Sequence, residues 1–588
     1  MKPDPIGGVD VESPADTPQL KGVFPMVRNL VLIRNPSRPQ YAGQRYALRR
    51  RTRAGWLTMT SMLVCLLMAQ VSSAQGDEDA AAEASPQPIG IHGASHLLGR
   101  TTFGAPLEEL QMYAALTRAE AVKMLLGTLV TESSTPLPSW AKYLPPDIAK
   151  LRGKTEQSRK VFQKESRRWR TELRSWWTRE LISSPSPLTE RLVLLWHGHF
   201  TSELTKVRSS QAMLRQNQMF RRLGSGDFRK LLHAVALDPA MSIYLDMRRS
   251  TREKPNENFA RELLELYGLG EGNYTEEDIK EAARAFTGYR IDARRGVVRK
   301  VQRRHDLGEK TVLGAKGRFG VTEVIDAVLA HEACPKWISR RFWIEFVSPT
   351  PDEEVLASWG THLSENNWHL TALLEKVLLS DAFWSEQHRG SLVKSPVDLV
   401  VGTIRCFELE DAPAGAALRT ISRLGQVLFD PPNVAGWPGG EQWIDATTLL
   451  GRRRFISAEL QNLSILCLMN QEQPLPSDRA PGKEPEGDTG ESDDPQMEPP
   501  SDAAMVARMD ASKEVPRRIK MRDRRKYSAR VSKLTEKLWR QLGDDAMARR
   551  TLIQQWLLPL DPVGQIVASG PIRVRVNSVL LDPTYQLK

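Results

Sequence analysis

The sequence is short of the residues and motifs that usually reveal a reaction. Its 588 residues include only four cysteines. Cys65 lies in a segment expected to be removed, leaving Cys334, Cys406 and Cys467, so at most one disulfide can form. A chain of this length has room for a core that needs no covalent staple. No Gly-x-Ser-x-Gly elbow, His-Glu-x-x-His helix, Cys-x-x-Cys pair or dinucleotide-binding glycine fingerprint occurs, so the commonest catalytic signatures are absent. Excess positive charge is also scarce once its position is considered. Of the net +11, the first 53 residues carry six, with ten Lys/Arg against four Asp/Glu. The five that remain do not imply a basic polymer-binding face, and nucleic acid is not an expected partner.

Membrane-length hydrophobic runs are missing too. The apolar run Trp56–Val71 is interrupted by Thr58, Thr60, Ser61 and Gln70 and falls short of the roughly 20 residues that span a bilayer. Arg49-Arg50-Arg51-Thr52-Arg53 precedes it and Ser72-Ser73-Ala74 follows. Basic, apolar, then small is the order of a secretory signal. We expect residues 54–74 to be a signal peptide cleaved after Ala74, with no stable span afterwards and the product in the periplasm or outside the cell. An uncleaved anchor is the alternative. Residues 1–53 are a leader of doubtful status, and translation from an internal methionine such as Met26 or Met59 would account for their length.

What is present reads as a mainly α fold: one large multi-helix domain with a small β element and a disordered acidic insertion. Residues 75–88 are acidic, aperiodic and closed by Pro86 and Pro88, a flexible tether,. Residues 89–470 carry helical spacing. Phe162, Trp169, Leu173, Trp176, Trp177 and Leu181 recur at three- and four-residue intervals, a packing stripe on one long helix. Leu192–Trp196 is apolar all round and should be buried. Helical patterns recur over Glu276–Phe286, Val324–Ala330, Ile338–Phe346, Ala372–Leu379 and Val397–Phe407. The clearest strand signals are Gly296–Gln302 and Ile572–Leu581. Residues 471–512 are dominated by Pro, Glu, Asp, Ser and Gly and should be disordered. Residues 513–588, with a helical face from Val531 to Leu542, would complete the domain.

Seven phrases occur in one order: His96-Leu97-Leu98-Gly99-Arg100-Thr101-Thr102-Phe103-Gly104, Trp196-His197-Gly198-His199-Phe200, Asn256 to Leu266, Ala285-Phe286-Thr287-Gly288-Tyr289, His305 to Lys310, Lys394-Ser395-Pro396, and Pro431 to Pro438. With the closing Leu580 to Gln586 they make the chain resemble the bacterial domain-of-unknown-function 1800 family over roughly residues 90–588, less the insertion. The resemblance implies an exported, largely helical protein and, as a candidate partner, an exported sulfatase-like protein encoded nearby. It implies no reaction.

Candidate chemistry is therefore read from the residues. His197 and His199, two positions apart, can share a metal only if Gly198 breaks the helix, since i and i+2 point about 200° apart. Otherwise they are dipole-favoured histidines at a helix C-terminus. Counting 100° per residue places Glu257, Asn258, Arg261, Glu262 and Glu265 on one helical face. Glu262 could be a metal ligand or general base tuned by Arg261, or the face could be an ordinary amphipathic surface laced by ion pairs. Thr275 to Asp278 is close to a capping box. His305 and Asp306, in a glycine-rich loop, could be an acid/base pair or metal ligands, or a turn in which Asp306 binds local amides. Asn433 and Trp437 sit in a proline-rigid loop that could form the lip of a groove or plug the core. Two functions follow: an extracytoplasmic helical scaffold or binding protein, or a hydrolase-like enzyme using a divalent metal held by His197, His199, Glu262, His305 and Asp306.

Overall fold

The computed structural model describes residues 87–144, 150, 152–292, 294–409, 414–468, 546–567, 576 and 578–588. The leader, the signal segment, all but two tether residues, the acidic insertion and the Val531–Leu542 helix lie outside that set.

Apolar spacing becomes helix throughout. Helix α1 (Gly90–Thr101) buries Ala94, His96, Leu97, Leu98 and Arg100. It ends in a sharp turn at Phe103 (φ 68°) and Gly104 (φ 115°). A Cβ on Gly104 would stand 2.8 Å from the Cys406 Sγ, so both the backbone angle and the close approach require glycine. Helix α2 (Glu156–Ser183) carries the aromatic stripe, with Trp169, Leu173, Trp176, Trp177 and Leu181 buried and Phe162 packed beside them. Helix α3 (Pro187–His199) is capped by the Ser186 hydroxyl, which accepts from the Thr189 amide. Pro187 occupies its first turn, where a missing N–H costs nothing,. Leu192 to Trp196 are buried on every side, and each such side chain contributes about 1.5–3 kcal/mol. A core built this way needs no disulfide.

Helix α4 (Ser210–Leu223) packs on α3. The Asn256–Leu266 phrase departs from the regular helix expected of it. It forms a short α5 (Asn258–Glu262) that widens into a π-helix over Leu263–Leu269. The 100° count therefore holds only as far as Glu262: Leu264 is buried and Leu266 only partly so. Tertiary contacts accompany the widening. The Trp337 Nε1–H donates to the Leu266 carbonyl at 2.9 Å, and a Cβ on Gly268 would stand 2.5 Å from Val328 Cγ1. Helix α6 (Glu276–Ala285) opens with the expected capping box of Thr275 and Asp278.

Among the described residues the small β element consists of two hairpins. The Gly296–Gln302 signal is realised as β2 (Val298–Lys300), antiparallel to β1 (Tyr289–Ile291). The loop after His305 also forms β3 (Lys310–Val312) and β4 (Ala315–Gly317). They are joined by Leu313 and Gly314, both at positive φ (50° and 79°), the requirement of a tight hairpin turn. Of the strand read over Ile572–Leu581, the described residues are not extended: Val576 and Ser578–Leu580 are helical and Leu581 is in a turn, while 572–575 and 577 lie outside the described residues. Helix α7 (Ala333–Phe346) follows the hairpins. Helix α8 (Pro396–Cys406) begins with a reciprocal cap, Asp398 N donating to Ser395 Oγ at 3.1 Å and Ser395 N to Asp398 Oδ2 at 2.9 Å. Helix α9 (Ala546–Leu557) packs against α1.

The final residues return to the turn before α8. Lys394 N donates to the Gln586 carbonyl at 2.7 Å, and Lys588 N to the Leu392 carbonyl at 2.7 Å. Among the described residues, no helix is long and apolar enough to cross a membrane.

Candidate functional site: a cavity beside Lys394

The five residues considered as a metal set do not assemble. Among the described residues no group of three or more His, Cys, Asp or Glu side chains could hold a metal ion. Gly198 does not break α3, which continues through His199, so the two imidazoles stay on different faces. The His197 ring lies against Trp177, Phe220 and Phe429 at centroid distances of 4.7, 4.8 and 5.2 Å. Its Nε2 meets the Asn217 amide nitrogen at 3.1 Å. The orientation of that amide is fixed, because Asn217 Oδ1 accepts from Arg221 Nη1 at 3.0 Å. His197 Nε2 is therefore an unprotonated acceptor. Burial, reinforced by the Arg221 charge, holds its pKa down to about 3. Arg221 in turn grips the wholly buried Glu190 at 2.7 and 2.9 Å, and Trp177 Nε1 donates to the same carboxylate at 3.0 Å. This chain of polar groups satisfies its own members.

His199 meets the Tyr267 carbonyl through Nε2 at 3.1 Å, and burial, then Arg341, keeps it neutral. His305 donates from Nδ1 to the Thr287 carbonyl at 2.9 Å, and burial lowers its pKa. Asp306 is held by Arg284 Nε at 2.8 Å and accepts from the Gly308 amide at 2.8 Å. The His305 phrase is thus a turn pinned to α6, the structural reading of the two. Arg261 is committed to Glu276 at 2.7 and 2.9 Å. Glu262 is the exception. It is partly buried and has no hydrogen-bond partner among the described residues. Burial, then repulsion from Glu265, pushes its pKa up to about 7 against the pull of Arg261.

The Pro431–Pro438 loop is not a free lip. Trp437 Nε1 donates to the Val427 carbonyl at 3.3 Å and the ring packs against the core. Gly436, at φ 96°, presses directly on the Gly198 carbonyl. Asn433 is exposed, with Oδ1 accepting from the Ala435 amide at 2.9 Å. This loop clamps the end of α3.

A cavity lies elsewhere, where the first phrase, the Lys394-Ser395-Pro396 turn and the closing phrase meet. It holds about 50 Å³ and opens to solvent, with Leu98, Phe103, Trp556 and Leu587 as apolar wall and Lys394 and Cys406 as polar wall. Gly402 of α8 packs against the Phe103 carbonyl, so closely that a side chain there would be excluded; this contact seats the α1 turn on the cavity rim. Lys394 is delivered by the α8 cap, immediately before Ser395. Its Nζ stands 3.8 Å over the Tyr585 ring, a favourable cation–π position. Tyr585 is itself fixed by a 2.9 Å bond between its hydroxyl and that of Thr403. Arg452 ties the two sides together, donating to Gln586 Oε1 at 3.1 Å and to the Lys394 carbonyl at 2.9 Å.

The Lys394 ammonium has no hydrogen-bond acceptor or ion-pair partner among the described residues. The nearby acid is occupied: Asp398 pairs with Arg191 and, at 3.1 Å, with Lys588 Nζ. Burial lowers the Lys394 pKa to about 8; Cys406 and Asp398 pull it upward, and Lys588 and Arg452 press it further down. His96 also lines the cavity and is 5% exposed. It donates from Nε2 to the Phe383 carbonyl at 2.7 Å, leaving its buried Nδ1 without a partner.

Sequence reasoning named no chemistry for Lys394, Cys406, His96 or Tyr585, although three of the four lie within phrases that carried the resemblance. The one available signal was local: a lysine placed directly before a Ser-Pro helix cap and a largely apolar helix is held at the mouth of a buried helix.

Fold and cavity together define a mainly helical domain that carries a small, lysine-bearing recess and gathers no metal ligands among its described residues. The chain belongs to the family described as Protein of unknown function (DUF1800), whose family model matches residues 96–587. No curated protein and no solved structure matches it significantly.

Proposed function

We propose that this is an exported helical binding protein whose working site is the cavity beside Lys394. The observation that carries the reading is a cation lining an open recess with no hydrogen-bond or ion-pair partner among the described residues, whereas His197, His199, His305 and Asp306 of the candidate phrases all bond protein groups. Lys394 is only half-buried, but an ammonium partly withdrawn from water without an acceptor is unfavourable, and an anionic ligand would relieve that cost. The divalent-metal hydrolase is the weaker alternative, because His197, His199, His305 and Asp306 each commit a polar atom to a protein partner and do not gather into a ligand set among the described residues. Export is supported by the basic, apolar and small segments in order before residue 75,.

A cavity-filling variant tests the binding reading. Gly99 lines the recess, and a Cβ built on it meets nothing within 4 Å. Gly99→Leu should fold at least as well as the parent, since glycine inside a helix costs about 0.5–1 kcal/mol, while abolishing small-molecule binding detected by ligand-observed NMR. Equal binding by both proteins would place the site elsewhere. For export, N-terminal sequencing of the protein recovered from a bacterial periplasm should begin at Gln75.

A further inference from the structure

We infer that the cavity recognises a short apolar carboxylate, its charged end against Lys394 and its hydrocarbon body against Leu98, Phe103, Trp556 and Leu587. This rests on the binding reading above and names its ligand class.

Size comes first. A water-sized site needs about 10–15 Å³ of such space, so a cavity of about 50 Å³ holds roughly three to five. That suits a compact body of a few carbons and excludes a long acyl chain or a sugar ring. Charge comes second. The groups whose fields reach the Lys394 ammonium are the Cys406 thiol, Asp398, Lys588 and Arg452. Asp398 is the carboxylate among them and is already shared between Arg191 and Lys588. With Arg191 and Glu345, which belong to the same network, four cations (Lys394, Lys588, Arg452 and Arg191) face two committed carboxylates, so an added anion is favoured and an added cation opposed. Wall chemistry comes third. One ammonium set among aliphatic and aromatic side chains can neutralise a monovalent carboxylate, whereas a phosphate dianion would need several converging donors. Tyr585, beneath the ammonium and tied to Thr403, holds Lys394 in place before a ligand arrives, which lowers the ordering cost of binding.

The cavity contains its own reporter. Cys406 is partly exposed and lines it, whereas Cys334 is buried. The full exported protein is titrated by calorimetry with butanoate, hexanoate, butanol, butylamine and inorganic phosphate. In parallel, slow Cys406 alkylation at pH 7.5, where Lys394 still carries its charge, is followed by peptide mass spectrometry. Butanoate should bind and slow the alkylation, with hexanoate weaker because its chain outruns the recess, butylamine and phosphate inert and butanol at least tenfold weaker. Lys394→Met, which keeps the hydrocarbon stem and removes the charge, should weaken carboxylate binding about tenfold to a hundredfold, and Lys394→Arg should retain most of it. Carboxylate affinity should also fall as pH rises past about 8, where the free ammonium is lost.

Butanol or phosphate binding as tightly as butanoate would overturn the carboxylate assignment while leaving a binding cavity in place. So would butanoate affinity unchanged in Lys394→Met. Failure of every probe to bind the parent or to protect Cys406 would sink both the assignment and the binding reading. The comparison among probes uses the parent protein alone, so it stands even if a variant misfolds.

Discussion

Replacing His197 with glutamine should produce a stability loss that shrinks as the solution is acidified. Glutamine can still accept from Asn217 but cannot titrate. In the folded chain burial and Arg221 hold the His197 pKa at about 3, against about 6.5 in an unfolded chain. Between those values the unfolded state binds one proton more than the folded state. Stability therefore falls as pH drops through this window, and the contribution is fully present only above about 6.5. At pH 7 the penalty is negligible; at pH 5 it amounts to about 2 kcal/mol. The raw slope of the parent would mislead, because Asp238 and Glu262, each pushed up to about 7 mainly by burial, act in the opposite direction between their unfolded values and pH 7. The difference between parent and variant isolates His197. Urea denaturation followed by tryptophan fluorescence at pH 7, 6 and 5 should show the gap narrowing by about 2 kcal/mol over that range. A gap independent of pH would refute the buried, neutral imidazole and the network drawn around it.

Other substitutions test neighbouring parts of the structure. Glu190→Leu strands Arg221 in the core and should cost about 3–5 kcal/mol in urea denaturation, most of it recovered by adding Arg221→Met,. Gly436→Ala puts a Cβ against the Gly198 carbonyl at a positive φ; a loss of about 1–3 kcal/mol, with altered Trp437 fluorescence, is expected on denaturation. Glu262→Gln removes a carboxyl whose folded pKa is raised to about 7. It should stabilise the protein at pH 8, where the buried charge is fully formed, and the gain should disappear by pH 4; thermal melts at both values check this.

Much of the fold was legible because it is written in local periodicity. The stripe from Phe162 to Leu181 could only be one face of a helix, and the all-round apolar Leu192–Trp196 could only be buried. The capping box at Thr275 was equally local. Features that depend on distant partners were not legible. Nothing in the Asn256–Leu266 phrase announces a π-helix, which is bonded by Trp337 and packed on Val328. Whether Gly198 breaks or continues its helix was open in the sequence, because the clamp from Gly436 lies more than two hundred positions away. The imidazoles of His197 and His305 attracted a metal reading because sequence cannot show that Asn217 and the Thr287 carbonyl already occupy them. The cavity is the extreme case, assembled from residues near positions 98, 394, 556 and 587. Its lysine carries no local signal of a binding role, because its isolation from acids is a property of three-dimensional packing.

The location of the site is tested most directly by hydrogen–deuterium exchange mass spectrometry of the exported protein, with and without a small-fragment library dominated by short carboxylates. Ligand-induced protection is expected in peptides covering Ser95–Ala105, Leu392–Cys406, Leu552–Pro559 and Val579–Lys588, and nowhere else to a comparable degree. Protection centred instead on Glu257–Leu266 and His305–Lys310, with the Lys394 region unchanged, would contradict the assignment and restore the polar phrases as the functional site.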